Sequence, residues 1–257
     1  PSHAGGMTAP IPRDLPDIPA LPRTAPQVLP SVVPARAVIP PVRRPLTAAY
    51  RLALAVLATA AVLIEILLGS PTRVLSYFVI QSTALLALVT FASARRAWTA
   101  RHPLPGAVTG AALLYVVVGA LVHHIALADA APAYAMTAGS SGGGVAWLEP
   151  VAGHLLHTAL PVAALLDWLV LTPPARLHLR QATTWLLYPL AYLAFTLARG
   201  ELLPVSAGRY LYPFLDVARH GYRGVLANAL LVGLAIYAVA VLLVALDHTR
   251  PKTRFRL

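Results

Sequence analysis

Six apolar runs divide the chain, at about 47–69, 74–94, 104–127, 150–172, 181–199 and 222–246. Each approaches or exceeds the roughly 20 residues with which a helix spans the hydrocarbon of a bilayer. The pattern predicts an all-α polytopic membrane protein with six transmembrane helices across 47–247. The fifth run is the shortest and contains Pro189, which predicts a kink or a small tilt. Loops are short except 128–149, whose GSSGGG run (139–144) reads as a flexible linker. It lacks the Lys-Ser/Thr that a phosphate-binding loop requires.

Composition agrees with the pattern. Of 257 residues, 58% are hydrophobic and only 11% charged, well below the roughly 25% charged of a soluble domain. The formal charge of +11 lies between the apolar runs and at the chain ends, as membrane topology demands, so nucleic-acid binding is not predicted. With no cysteine, disulfides, thiolate metal sites and a cysteine nucleophile are excluded. A single lysine, Lys252, against nineteen arginines, with abundant alanine, suggests a GC-rich bacterial genome.

Residues 1–46 hold twelve of the 24 prolines, a density that forbids helix and sheet interiors and predicts a disordered, cytoplasmic tail. Its long basic stretch is not that of a signal peptide. Residues 248–257 form a second basic tail. With the N-terminus inside, 15 Arg and Lys residues fall on the cytoplasmic side and five on the other. That bias predicts both termini in the cytoplasm and the protein in the inner (plasma) membrane. The four arginines Arg199, Arg209, Arg219 and Arg223 run against the bias and predict a separate role for the loop between the fifth and sixth spans.

This topology gathers the intramembrane polar residues in the outer half of the bundle. Glu65 lies near the outer end of the first span. Gln81, Ser82 and Thr83 lie roughly 10–14 Å deep in the second, His154 and His157 roughly 6–11 Å deep in the fourth, and Asn228 roughly 9 Å deep in the sixth. His123 and His124 close the third span and are expected to lie shallower than His157. His154 and His157 are three residues apart and are expected on one helix face. Asp167 lies about 15 Å beyond His157 on the same helix, which excludes an Asp–His dyad. It is expected to cap the inner interface near Arg176 and Arg180. Ionisable groups at membrane depth are costly and mark candidate sites. No metal or cofactor is predicted: Glu65 or His123/His124 could join the histidine pair, but no HExxH-like spacing supports it.

The segments SYFVIQST (76–83), GHLLHTALP (153–161), LLDWL (165–169), YPLAYLAFTLARG (188–200) and YPFLDVARHGY (212–222) resemble the bacterial Pr6Pr membrane proteins. Those in turn look like distant relatives of the eukaryotic androgen-induced (FAR-17a type) proteins. The second resemblance implies an intramembrane hydrolase of fatty acid esters of hydroxy fatty acids, with a Thr nucleophile and a His. The His maps onto His157, and Val79 stands where that family has its Thr. A valine cannot attack an ester, so a nucleophile would have to come from Thr83 or Ser82, one turn along, with His157 as general base. Gln81, Asn228 or His154 would then donate to the oxyanion. Otherwise the activity is absent.

The chain is thus expected to hold a polar pocket, in which His154, Gln81, Asn228, Tyr212 and Asp216 contact membrane lipids or an amphiphilic substrate. Arg199, Arg209 or Arg219 would hold an anionic head group. The alternative is a non-catalytic lipid- or metal-binding membrane protein.

Overall fold

A computed structural model of the protein describes residues 42–127, 130, 132–138, 147–174, 177–204 and 209–250. The expected tail and the GSSGGG linker fall outside these residues, except for 42–46, of which Pro45 and Leu46 already belong to the first helix rather than to a tail. The C-terminal tail is described only to Arg250. Among the described residues the chain is helical, without strands.

Helix α1 runs Pro45–Leu68, followed by a single turn α2, Pro71–Val74, and α3, Phe78–Trp98. Helix α4 is Gly106–Leu127, α5 is Glu149–Leu171, α6 is Leu179–Thr184, α7 is Leu187–Leu202 and α8 is Val217–Thr249. Five of them, α1, α3, α4, α5 and α8, are long and apolar enough to cross a membrane.

The fifth predicted span is two pieces, α6 and α7. The break follows from Pro189, which has no N–H to bond the carbonyl four residues earlier. That carbonyl belongs to Trp185, and it accepts the Tyr115 hydroxyl at 2.9 Å instead. The second span also starts later than expected, at Phe78 rather than 74, because Pro71 opens the separate turn α2. Gln81 and Thr83 are therefore only roughly 4–8 Å from the start of α3, not 10–14 Å. In α8 the continuous helix begins after Gly221, whose φ of 65° only glycine adopts freely. The expected start at 222 agrees with this break.

Helix α1 turns a stripe of small residues, Ala48, Ala55, Ala58 and Ala61, into the bundle. Helix α3 packs along it with Ala87, Ala94 and Ala97 buried. Between helices in lipid there is little hydrophobic driving force, and small residues let backbones approach for dispersion contact. The opposite faces carry exposed Leu52, Leu57, Leu63, Leu67, Leu88, Phe91, Val162 and Leu166. A patch of this extent suits a lipid environment rather than water.

The end of the bundle that holds Val42 and Arg250 is called proximal here. There, Arg51 Nε donates to Asp167 Oδ1 at 2.7 Å and Arg51 Nη2 to Thr172 Oγ1 at 3.1 Å. Asp167 thus has its ion-pair partner on α1, 116 residues away, while Arg176, expected near it, lies outside the described residues. Asp247 joins the same end, accepting from the Leu177 amide at 2.9 Å and from Arg250. The Arg250 guanidinium also lies over the Trp168 ring at 4.0 Å.

Candidate functional site

The opposite, distal end contains a cavity of about 760 Å³, within the size range of small-molecule and lipid sites. Its walls come from α1, α3, α4, α5, α7 and α8, with Tyr134, Met136, Tyr212 and Phe214 contributed by the distal connections. Most of the lining is aliphatic or aromatic. The polar exceptions are Glu65, Thr137, Glu149, His123, His157 and the tyrosines.

His157 is positioned by a local departure from α geometry. Residues Leu155–Ala159 form a wider π turn, and Pro161 leaves the His157 carbonyl without its helical donor. His124 Nε2 fills that gap at 3.1 Å. Since a carbonyl only accepts, the His124 proton is on Nε2. The segment His123–Leu127 is also a π turn, and such turns recur at functional sites. Together they bring the His123 and His157 rings into a parallel stack, with centroids 3.6 Å apart and planes 16° apart. His123 is thus level with His157, not shallower as expected from residue counting.

His157 is 5% exposed, and its Nδ1 lies 2.9 Å from the Gly153 carbonyl. The same acceptor argument puts the proton on Nδ1 and leaves Nε2 as the basic nitrogen. His154 does not share this face. It is exposed and its Nδ1 donates to the Pro150 carbonyl at 2.7 Å, because the π turn between the two residues alters the three-residue offset assumed for a regular helix.

The first turn of α3 forms another wall. Its Phe78 amide, one of the donors a helix start leaves orphaned, is shared by the hydroxyls of Tyr192 at 3.1 Å and Tyr212 at 3.2 Å. Tyr192 passes its own proton to the Ser76 carbonyl at 2.9 Å. Tyr212 hydrogen-bonds Tyr192 in turn. Burial, with the neighbouring Tyr192 and Tyr77, holds the Tyr212 hydroxyl well above the usual tyrosine range, so it serves as a neutral hydrogen-bonding group.

The expected site residues therefore separate. His157 and Tyr212 line the cavity, as does Val79. Ser82 and Thr83 are fully buried but are not among the cavity-lining residues. Ser82 Oγ bonds back to the Val79 carbonyl at 3.0 Å, and among the described residues Thr83 Oγ1 has no hydrogen-bond partner. Gln81 bridges the Leu75 carbonyl and the Tyr188 hydroxyl. Asn228 Nδ2 donates to the Phe214 carbonyl at 3.0 Å. Asp216 caps α8 through the Ala218 amide and accepts from Tyr134. The last two hold the 210–216 segment against the bundle rather than facing the cavity.

Arg199 and Arg209 are not among the cavity-lining residues: Arg199 Nη1 bonds the Arg209 carbonyl at 2.7 Å, and Arg209 lies over Tyr210. Arg219 reaches the Tyr134 hydroxyl. No group of three or more metal-ligating residues occurs among the described residues. Tyr192 and Glu149 are wall residues that pattern reading passed over. An intramembrane tyrosine hydroxyl needing a partner was the available signal for the first.

No family model matches the chain, and no curated protein or solved structure matches it either.

Proposed function

We propose that the protein is a six-span membrane protein, both termini cytoplasmic, whose distal cavity binds an amphiphilic lipid from the surrounding bilayer. In this reading α6 and α7 make the remaining crossing and the cavity faces the outer leaflet. One observation carries it. Leu190 of α7 and Leu226, Leu230 and Leu234 of α8 line the cavity and are exposed on the outside of the bundle. The cavity is therefore continuous with the lipid-facing surface between α7 and α8, and an acyl chain could enter sideways without crossing water.

The test uses protein purified in mild detergent and its retained lipid, measured by native mass spectrometry. Gly153 and Gly233 line the cavity, and a Cβ added to either meets nothing within 4 Å. Gly153→Trp and Gly233→Trp are expected to lose the retained lipid and to weaken a fluorescent acyl probe by about tenfold or more. Undiminished binding in both variants would remove the cavity as the lipid's site.

A second reading, ester hydrolysis, is favoured by the His157 tautomer and by Val79 and His157 sharing one cavity, the two positions onto which the hydrolase resemblance maps. With valine at 79, the attacking oxygen would be water. His157 Nε2 takes its proton as the oxygen adds to the ester carbonyl, then returns it to the departing alkoxide. His157→Ala should then lower turnover of a lipid ester by about a hundredfold or more, with Ser82→Ala and Thr83→Ala near the unsubstituted rate. Turnover insensitive to His157→Ala would end this reading.

A further inference from the structure

We infer that the cavity selects an amphiphile with a cationic, ammonium-type head, held at Glu65, with its chain directed toward the gap between α7 and α8. The inference rests on the lipid-cavity reading above and names the chemistry of its ligand.

The charge of the lining argues for it. In a chain of net charge +11, the lining contains two carboxylates, Glu65 and Glu149, and among the described residues no arginine or lysine. An anionic head would therefore meet negative charge in the cavity. At the same end Arg73 donates to the carbonyls of Ala133 and Ala135 at 2.6 and 3.2 Å, and Arg199 to that of Arg209. These cations are engaged by backbone carbonyls and by tyrosines, Arg73 also at the Tyr77 hydroxyl and ring and Arg219 at the Tyr134 hydroxyl.

Glu65 gives the inference its anchor. It is 3% exposed, it lines the cavity, and among the described residues its carboxyl group receives no hydrogen bond. Arg51, one α1 residue of opposite charge, is committed to Asp167 at the proximal end. A carboxyl group kept in so apolar a place without a partner is costly, and such residues face substrate or ion sites. An ammonium head supplies the missing countercharge. Glu149 stands at the rim, where it accepts from Thr137 Oγ1 at 2.8 Å, and adds a second negative group. Tyr212 also lines the cavity, and tyrosine rings attract alkylammonium groups, as Tyr77 already does with the Arg73 guanidinium.

The experiment compares three radiolabelled probes of equal chain length: tetradecyltrimethylammonium, tetradecanol and tetradecanoate. The protein is held in phosphatidylcholine nanodiscs, with empty nanodiscs as the blank. The ammonium probe is expected to bind about tenfold or more tighter than tetradecanoate. Glu65→Gln is expected to remove that advantage and leave tetradecanol binding unchanged. Retained tetradecanol binding also reports that the variant's cavity has formed; in a variant that has lost it, the probe order on the unsubstituted protein decides. Tetradecanoate binding as well as the ammonium probe, or an ammonium affinity indifferent to Glu65→Gln, overturns the inference while leaving the lipid cavity standing. Binding of none of the three above the blank overturns both.

Discussion

Asp247→Ala is expected to destabilise the protein by about 3–5 kcal/mol, the cost of leaving a buried ion without its partner. Asp247 is 1% exposed and accepts from both the Leu177 amide and the Arg250 guanidinium. Removing its carboxylate leaves the buried Arg250 cation only the Trp168 ring and backbone carbonyls, with no countercharge, and leaves the Leu177 N–H without its acceptor. The second loss matters for the fold because Leu177 leads into α6, so one side chain ties the start of the broken span to the end of α8. Unfolding in mixed micelles, followed by circular dichroism or fluorescence, measures the effect. Asp247→Asn keeps an acceptor for Leu177 and is expected to cost less. Asp247→Ala combined with Arg250→Met should also cost less than Asp247→Ala alone, since no unpaired charge remains. Equal loss in all three variants would mean that the charge pair is not what the site depends on.

The second large effect is expected at Gly200→Val. A Cβ at Gly200 would lie 2.1 Å from Tyr210 Cε1, far inside van der Waals contact. The Tyr210 ring has little freedom to retreat: it is 1% exposed, and its hydroxyl is tied to Glu201 Oε1 at 2.8 Å. Overpacking of this kind costs about 1–3 kcal/mol or more. The consequence reaches the cavity because Tyr212 is two residues along the same segment and caps the Phe78 amide. Moving the segment pulls that hydroxyl off α3 and opens the distal wall, so lipid retention should fall along with the unfolding midpoint. The double variant Gly200→Val with Tyr210→Ala relieves the clash and should recover part of the stability. No recovery in the double variant would place the damage elsewhere than at the Tyr210 ring.

Helical class was legible in the chain because the apolar runs match the length a bilayer imposes, and the observed α1, α4 and α5 begin and end within about two residues of the expected limits. The kink of the fifth span was legible too, since proline removes a donor at a known offset. Cavity membership was not. Helical periodicity tells which residues share a face but not how the helix is rotated against its neighbours. That rotation turned Val79 into the cavity and left Ser82 and Thr83 out of its lining. The π turns at 123–127 and 155–159 shifted the angular bookkeeping again, parting His154 from His157 and bringing His123 onto the His157 ring.

The fourth apolar run, with His154, His157 and Asp167, illustrates the division. The sequence by itself determined that these three ionisable groups lie on one membrane-length helix, and that Asp167 is too far from His157 to act with it. Only the tertiary structure decided their partners: Pro150 for His154, Gly153 and the His123 ring for His157, and Arg51 for Asp167. The physical reason is range. Helix geometry is set by neighbours within a turn, whereas a countercharge 116 residues away or a ring from another helix is chosen by packing, which no local pattern encodes.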